Sequence, residues 1–224
     1  MNAFNKIFLL ILMFFTCGAF SLEKADIIYT GGIFGIPYDW VGDLPLGHVG
    51  LFAGTEKKDG KIQAVIIDCV PDYFKPGGIR KVSWKHFTHD FRYPYYGNRT
   101  TSKKPTAEQR ENMVKKAESM LKPRAYSFLH DSQKGPDKFD CVGFVEYIYE
   151  KVGLNPTPND QETGLGWPLT PSEQFYATVA NSPSPVSSYI SITKKRNLDS
   201  LESFQPLKSY SATEIPLPSS FVNE

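Results

Sequence analysis

The spacing of apolar and polar residues changes period once along this chain, near residue 100. Before that point the apolar runs are short. "ADIIYTGG" (25–32) reads as a strand closed by glycines. "HVGLFAG" (48–54) is apolar at successive positions, as in a strand covered on both faces, and "IQAVIIDCV" (62–70) is dense in β-branched residues. Between those two, "TEKKDGK" is polar and carries Asp59-Gly60, a dipeptide that favours a tight hairpin turn. A further strand is expected at "IRKVSW" (79–84), then an irregular segment through "HFTHDFRYPYYGN". The Gly- and Pro-interrupted stretch "IFGIPYDWVGDLPLG" before His48 reads as an aromatic loop.

After residue 100 the period becomes helical. "TAEQ" is a capping box with Thr106 as N-cap and Gln109 at the third position, and Met113, Ala117 and Met120/Leu121 then share one face up to Pro123. Asp140 is placed to cap a second helix from Cys141 to about Val152, with Gly153 as its stop. "TPSE" (170–173) is another capping box, with Pro171 at the favoured first position of a third helix. From Asn181 onward the chain is rich in Ser and Pro, with one strand-like stretch at "SSYISIT" and no internal repeat. Strands followed by helices predict an α+β domain built on an antiparallel sheet.

Composition narrows the compartment and the partners. Lys6 followed by "IFLLILMFF" and the small-residue pattern Ala19-Phe20-Ser21 read as a cleaved secretory signal over 1–21. Its apolar run is short for a membrane span. The expected organisation is thus a signal at 1–21, a domain at 22–180 and a Ser/Pro-rich extension at 181–224, in a secreted or periplasmic protein. Without the signal's single Lys the chain holds 24 basic and 24 acidic residues. That balance argues against a nucleic-acid partner or a general attraction to anionic membranes. Loss of Cys17 with the signal leaves Cys69 and Cys141, and an exported pair of cysteines is a candidate disulfide.

The chemistry turns on Cys141 in "KFDCVGFVEYIYEKVGL". Helical spacing groups it with Val145, Ile148 and Val152, while Glu146, Glu150 and Lys151 fall on other faces. A small buried cysteine on an apolar stripe needs no function. Its place in the first helical turn, however, sets it among unpaired backbone N–H groups that favour the reactive thiolate. Such a nucleophile needs a base, and all four histidines (His48, His86, His89, His130) precede it. With residues 55–61 as the hairpin loop, His48 falls opposite Asp68, where a carboxylate would orient the imidazole. A two-residue turn at Asp59-Gly60 would move that pairing by three. By strand alternation Cys69 points away from Asp68, which weakens a Cys69–Cys141 bridge. His86-x-x-His89 lacks further metal ligands and reads as a surface pair, and no cofactor motif is present. Asn98-Arg99-Thr100 matches a glycosylation sequon.

Three segments, "GHVGLFAG", "VIIDCV" and "FDCVGFVEYIYEKVGL", resemble the NlpC-type papain-like cysteine hydrolases in circularly permuted form, the branch of YiiX-like proteins and the lecithin:retinol acyltransferase group. The likeness spans roughly residues 25–180. It implies a permuted papain-like fold, with the sheet packed against the cysteine helix. It also implies Cys141 as nucleophile, His48 as base, Asp68 as the polar third residue and Tyr126 as a substrate or oxyanion contact. Val142 stands where these enzymes usually carry serine.

Together these expectations describe an exported cysteine hydrolase with no cofactor or metal, acting on amide bonds of cell-wall peptides. An ester or lipid-amide hydrolase or acyltransferase is the alternative. So is a non-catalytic secreted binding domain with a Cys69–Cys141 disulfide.

Overall fold

A computed structural model of the chain describes residues 22–31, 39–41, 44–90, 95–127, 133–158 and 169–181. Residues 1–21, expected to be a secretory signal, "SSYISIT", nearly all of the Ser/Pro-rich extension and His130 lie outside them. The fold is α+β. Its strands are β1 (Ile27–Gly31), β2 (Asp39–Val41), β3 (Leu44–Lys58), β4 (Lys61–Val70), β5 (Gly78–Ser83), β6 (Tyr95–Thr100) and β7 (Val179–Ala180). Its helices are α1 (Trp84–Asp90), α2 (Ala107–Ser119), α3 (Cys141–Glu150) and α4 (Pro171–Ala177). The strands form one sheet in the order β5-β4-β3-β1-β6-β7, with β2 also paired to β3, and neighbours run antiparallel. Among the described residues no helix is long and apolar enough to cross a membrane.

Each face of the sheet has its own core. Ile27, Tyr29, Val49, Leu51, Val65, Ile67 and Cys69 point to the face covered by α2, α3 and α4. Ile28, Phe52, Ala64, Ile66, Val70 and Val82 point to the other, where Phe87 of α1 and Phe74 cover them. The inner parts of β3 and β4 are therefore apolar at successive positions because both of their sides are dry.

The hairpin is longer than its sequence suggests. Residues 55–58 and 61 continue the ladder, and the turn is only Asp59 and Gly60, with φ of 50° and 77°. Positive φ at both positions gives a turn whose twist matches the flanking strands. A β-bulge between Phe52 and Gly54 then shifts the register back by one, so that Gly50 faces Asp68. His48 is thus level with Val70 and stands diagonal to Asp68, not opposite it.

Two segments read as irregular are ordered. α1 starts where Ser83 Oγ accepts from His86 N at 3.2 Å, and β6 pairs with β1. The aromatic loop contains β2 and the first residues of β3. α2 and α4 carry both arms of their capping boxes. α3 ends at Glu150, and the chain reaches Gly153 (φ 74°) through a turn. Asn98 of the sequon is buried with its amide donating to Asp26 at 2.7 Å, so the folded chain does not offer it for glycosylation.

Candidate active site

α3 begins where Asp140 leaves the extended conformation and its Oδ1 accepts from Gly143 N at 2.7 Å. That cap sets Cys141 at the first helical position, 7% exposed and facing the sheet. The backbone N–H groups of Val49 and Val142 donate to its sulfur. Burial dominates even so. Together with the negative charges of Asp140 and Asp68 it pushes the Cys141 thiol well up, so the resting group is a neutral thiol.

Cys69 lies on the same face, in the same core as Cys141, and both cysteines are free. Its Sγ donates to Phe139 O at 3.5 Å, two residues before Cys141. Pointing away from Asp68 therefore means pointing toward α3. The strand alternation holds, and because α3 covers the face that Cys69 occupies, the two cysteines share a core, yet the candidate Cys69–Cys141 disulfide is not formed. Burial pushes the Cys69 thiol well up as well, with Asp68 and Cys141 adding to it.

His48 and Asp68 come together despite their diagonal register. Their Nε2···Oδ2 distance is 2.9 Å, with both side chains buried. Diagonal neighbours on one sheet face are within reach of each other when one side chain is as long as histidine. The imidazole also lies 5.5 Å from the Phe87 ring. Arg80, directly across from Asp68 on β5, completes the group. Its Nε and Nη2 donate to Oδ1 and Oδ2 at 2.8 and 3.1 Å. Burial alone would raise the Asp68 carboxyl, but the His48 hydrogen bond and the Arg80 guanidinium outweigh it and hold the group below the usual carboxylate range. With Asp68 ionised, the proton of their hydrogen bond belongs on Nε2, which leaves Nδ1 as the basic ring nitrogen.

The two halves of the site meet at β3 from opposite sides. His48 leaves the strand on the face of Phe87 and Asp68, whereas Val49, the next residue, sits on the α3 face and gives its N–H to Cys141. One peptide unit thus links the imidazole-bearing residue to the sulfur.

Tyr126 is half-buried against the α3-side core, and its backbone bridges Phe139. This brings the tyrosine segment alongside the approach to Cys141. The His86-x-x-His89 pair lies on α1, a helix rather than a loop, over the opposite face of the sheet. Among the described residues no three His, Cys, Asp or Glu side chains gather as a metal site.

Three buried polar residues escape a reading of the sequence. Arg80 sits in an ordinary-looking strand. Gln133 donates through Nε2 to Asp140 Oδ2 and to Leu169 O, both at 2.6 Å. Glu146, expected away from the packed face, is wholly buried and accepts from Thr157 Oγ1 and Gln174 Nε2 at 2.6 and 2.8 Å. The only sequence signal near Gln133 is Gly143, where a Cβ would come within 2.0 Å of the Gln133 carbonyl oxygen. The spacing of the glycine does not say what it makes room for.

Comparison with known proteins returned no matching family model, no matching curated protein and no matching solved structure.

Proposed function

We propose that the chain is an exported cysteine hydrolase of permuted papain-like fold, cleaving amide bonds in cell-wall peptides. The observation that carries this reading is the buried His48–Asp68 pair, at 2.9 Å, one residue from the N–H that Cys141 accepts. In this reading His48 serves as the base for Cys141, whose thiolate attacks the acyl carbonyl. The C–N bond then breaks, and the amine departs with the proton held on the imidazole. Water attacks the thioester, giving its proton to His48, and the free acid leaves with Cys141 restored. Backbone N–H groups in the first turn of α3 stabilise the oxyanion, as such donors do in acyl transfer. Tyr126 contacts the substrate. The alternative substrate class is an ester or lipid amide, by the same steps with a different leaving group.

A second reading is a non-catalytic secreted binding domain. The opposite sheet faces of His48 and Cys141, and the neutral buried thiol, favour it.

Incubating the protein with peptidoglycan fragments and with a panel of lipid esters, beside Cys141→Ala and His48→Ala, separates these readings. The hydrolase releases new amine from the peptide fragments and Cys141→Ala releases none. His48→Ala loses about 10²–10⁴-fold, the usual contribution of a general base. No turnover by any form selects the binding domain, equal turnover by Cys141→Ala overturns Cys141 as the nucleophile, and turnover confined to the esters replaces the substrate class alone.

A further inference from the structure

Gln133 is buried, and its side-chain nitrogen serves two acceptors. Nε2 donates to Asp140 Oδ2 and Leu169 O, each at 2.6 Å, while the backbone carbonyl accepts from Asp140 N at 3.3 Å. Its Oε1 is buried without any hydrogen-bond partner. A residue kept only to fill space would be apolar here, because an unmatched buried carbonyl is destabilising. Gly143 is the counterpart on α3, since any larger residue would collide with the Gln133 carbonyl. The amide is therefore fitted to the N-cap carboxylate, one residue before the sulfur.

We propose that Gln133 is a positioning residue for Cys141, holding the Asp140 carboxylate in its cap and drawing the negative charge away from the thiol. The proposal rests on the reading of Cys141 as the nucleophile. Asp140 has two opposed effects. Its Oδ1 caps α3 and so sets Cys141 in place, while its charge opposes ionisation of the thiol. A hydrogen bond to Oδ2 keeps the first effect and weakens the second, because a donor localises charge on the oxygen that it meets. The other charged or titratable groups acting on the sulfur are Asp68, itself paired with Arg80 and His48, and Cys69. None of these touches Gln133 through a hydrogen bond.

The test is the rate of iodoacetamide alkylation of Cys141 against pH in the full chain, read by mass spectrometry of the peptide that contains it. Asp140→Asn keeps a capping oxygen and removes the charge; alkylation at pH 8 rises about tenfold, the equivalent of one pH unit. Gln133→Met fills the same space without the donor, and alkylation slows with its midpoint moved up. In the Asp140→Asn background, Gln133→Met has no further effect. An unchanged profile in Asp140→Asn overturns the proposal, as does a Gln133→Met shift that persists in that background, since a merely structural role would persist there. Should Gln133→Met fail to fold, Gln133→Leu is read in both backgrounds by the same criteria. A His48→Ala variant with an unaltered Cys141 profile counts against the nucleophile–base pair and leaves the Gln133–Asp140 relation standing.

Discussion

At the scale of single residues, the charge balance around Asp68 rests on Arg80. Both are buried, and the guanidinium meets both carboxylate oxygens. Replacing Arg80 by Met leaves a buried carboxylate with His48 as its remaining side-chain partner in the cluster, and removing one member of a buried ion pair costs about 3–5 kcal/mol. The loss depends on pH in a fixed direction. Asp68 titrates below its unfolded value of about 3.9, so its contribution is present above that pH and disappears as pH falls through the folded value. Urea unfolding of Arg80→Met therefore shows the full deficit at pH 7 and a shrinking one below about pH 3.9. A deficit constant with pH would mean that Arg80 acts by packing on Phe74, whose ring lies 5.4 Å from the guanidinium carbon, and not through charge. The same pairing bears on the proposed chemistry. Asp68 is already matched by Arg80, so its main service to His48 is to fix the tautomer that leaves Nδ1 basic.

Among the elements, the β3–β4 hairpin decides which residues meet. Gly60 has φ of 77° with open space around its missing Cβ, so Gly60→Ala meets no clash, only a backbone conformation that costs L-residues about 1–2 kcal/mol. Thermal unfolding should register that loss while Cys141 alkylation stays unchanged, because the turn is remote from the bulge that sets the register at His48. An altered alkylation rate would mean that the turn transmits register to the site. The hairpin also shows what the sequence makes legible. Asp59-Gly60, the capping boxes at Thr106 and Thr170 and the Asp140 cap are local, and each marked its element. The bulge between Phe52 and Gly54 is not local: Gly54 has φ of 107° and lies against the side chain of Lys24, far away in the chain. His48 and Asp68 were found as a pair through a register that was wrong by two positions, because the length of histidine tolerates the difference. α1 and β6 were missed for another reason. Each is short, and β6 carries an internal glycine, so they depend on the sheet that they join. Arg80 and Gln133 give no periodic signal, since their partners lie on other segments.

Across the whole molecule, two buried carboxylates tie distant parts together. Asp26 accepts from Asn98, Arg110 and Asn181, joining the first described strand region to the last described residue. Glu146 accepts from Thr157 and Gln174, and Gln174 in turn accepts from Tyr29, so α3, the segment after it, α4 and β1 share one network. Glu146 Oε2 is buried without a partner. Burial raises the Glu146 carboxyl, and the hydrogen bonds from Thr157 and Gln174 only partly offset this. An acid raised in the folded state takes up a proton on folding. Its contribution is therefore best at low pH and is lost as pH climbs from the unfolded value of about 4.3 through the folded one. Glu146→Gln is neutral throughout and keeps an oxygen for Thr157 and Gln174. Its stability relative to the wild type should rise with pH above about 4.3 and level off once both wild-type states are ionised. Urea midpoints over a pH series measure this directly. A difference that does not vary with pH would show that Glu146 keeps an ordinary acidity in the fold, and that the network around it is held by packing and not by a retained proton.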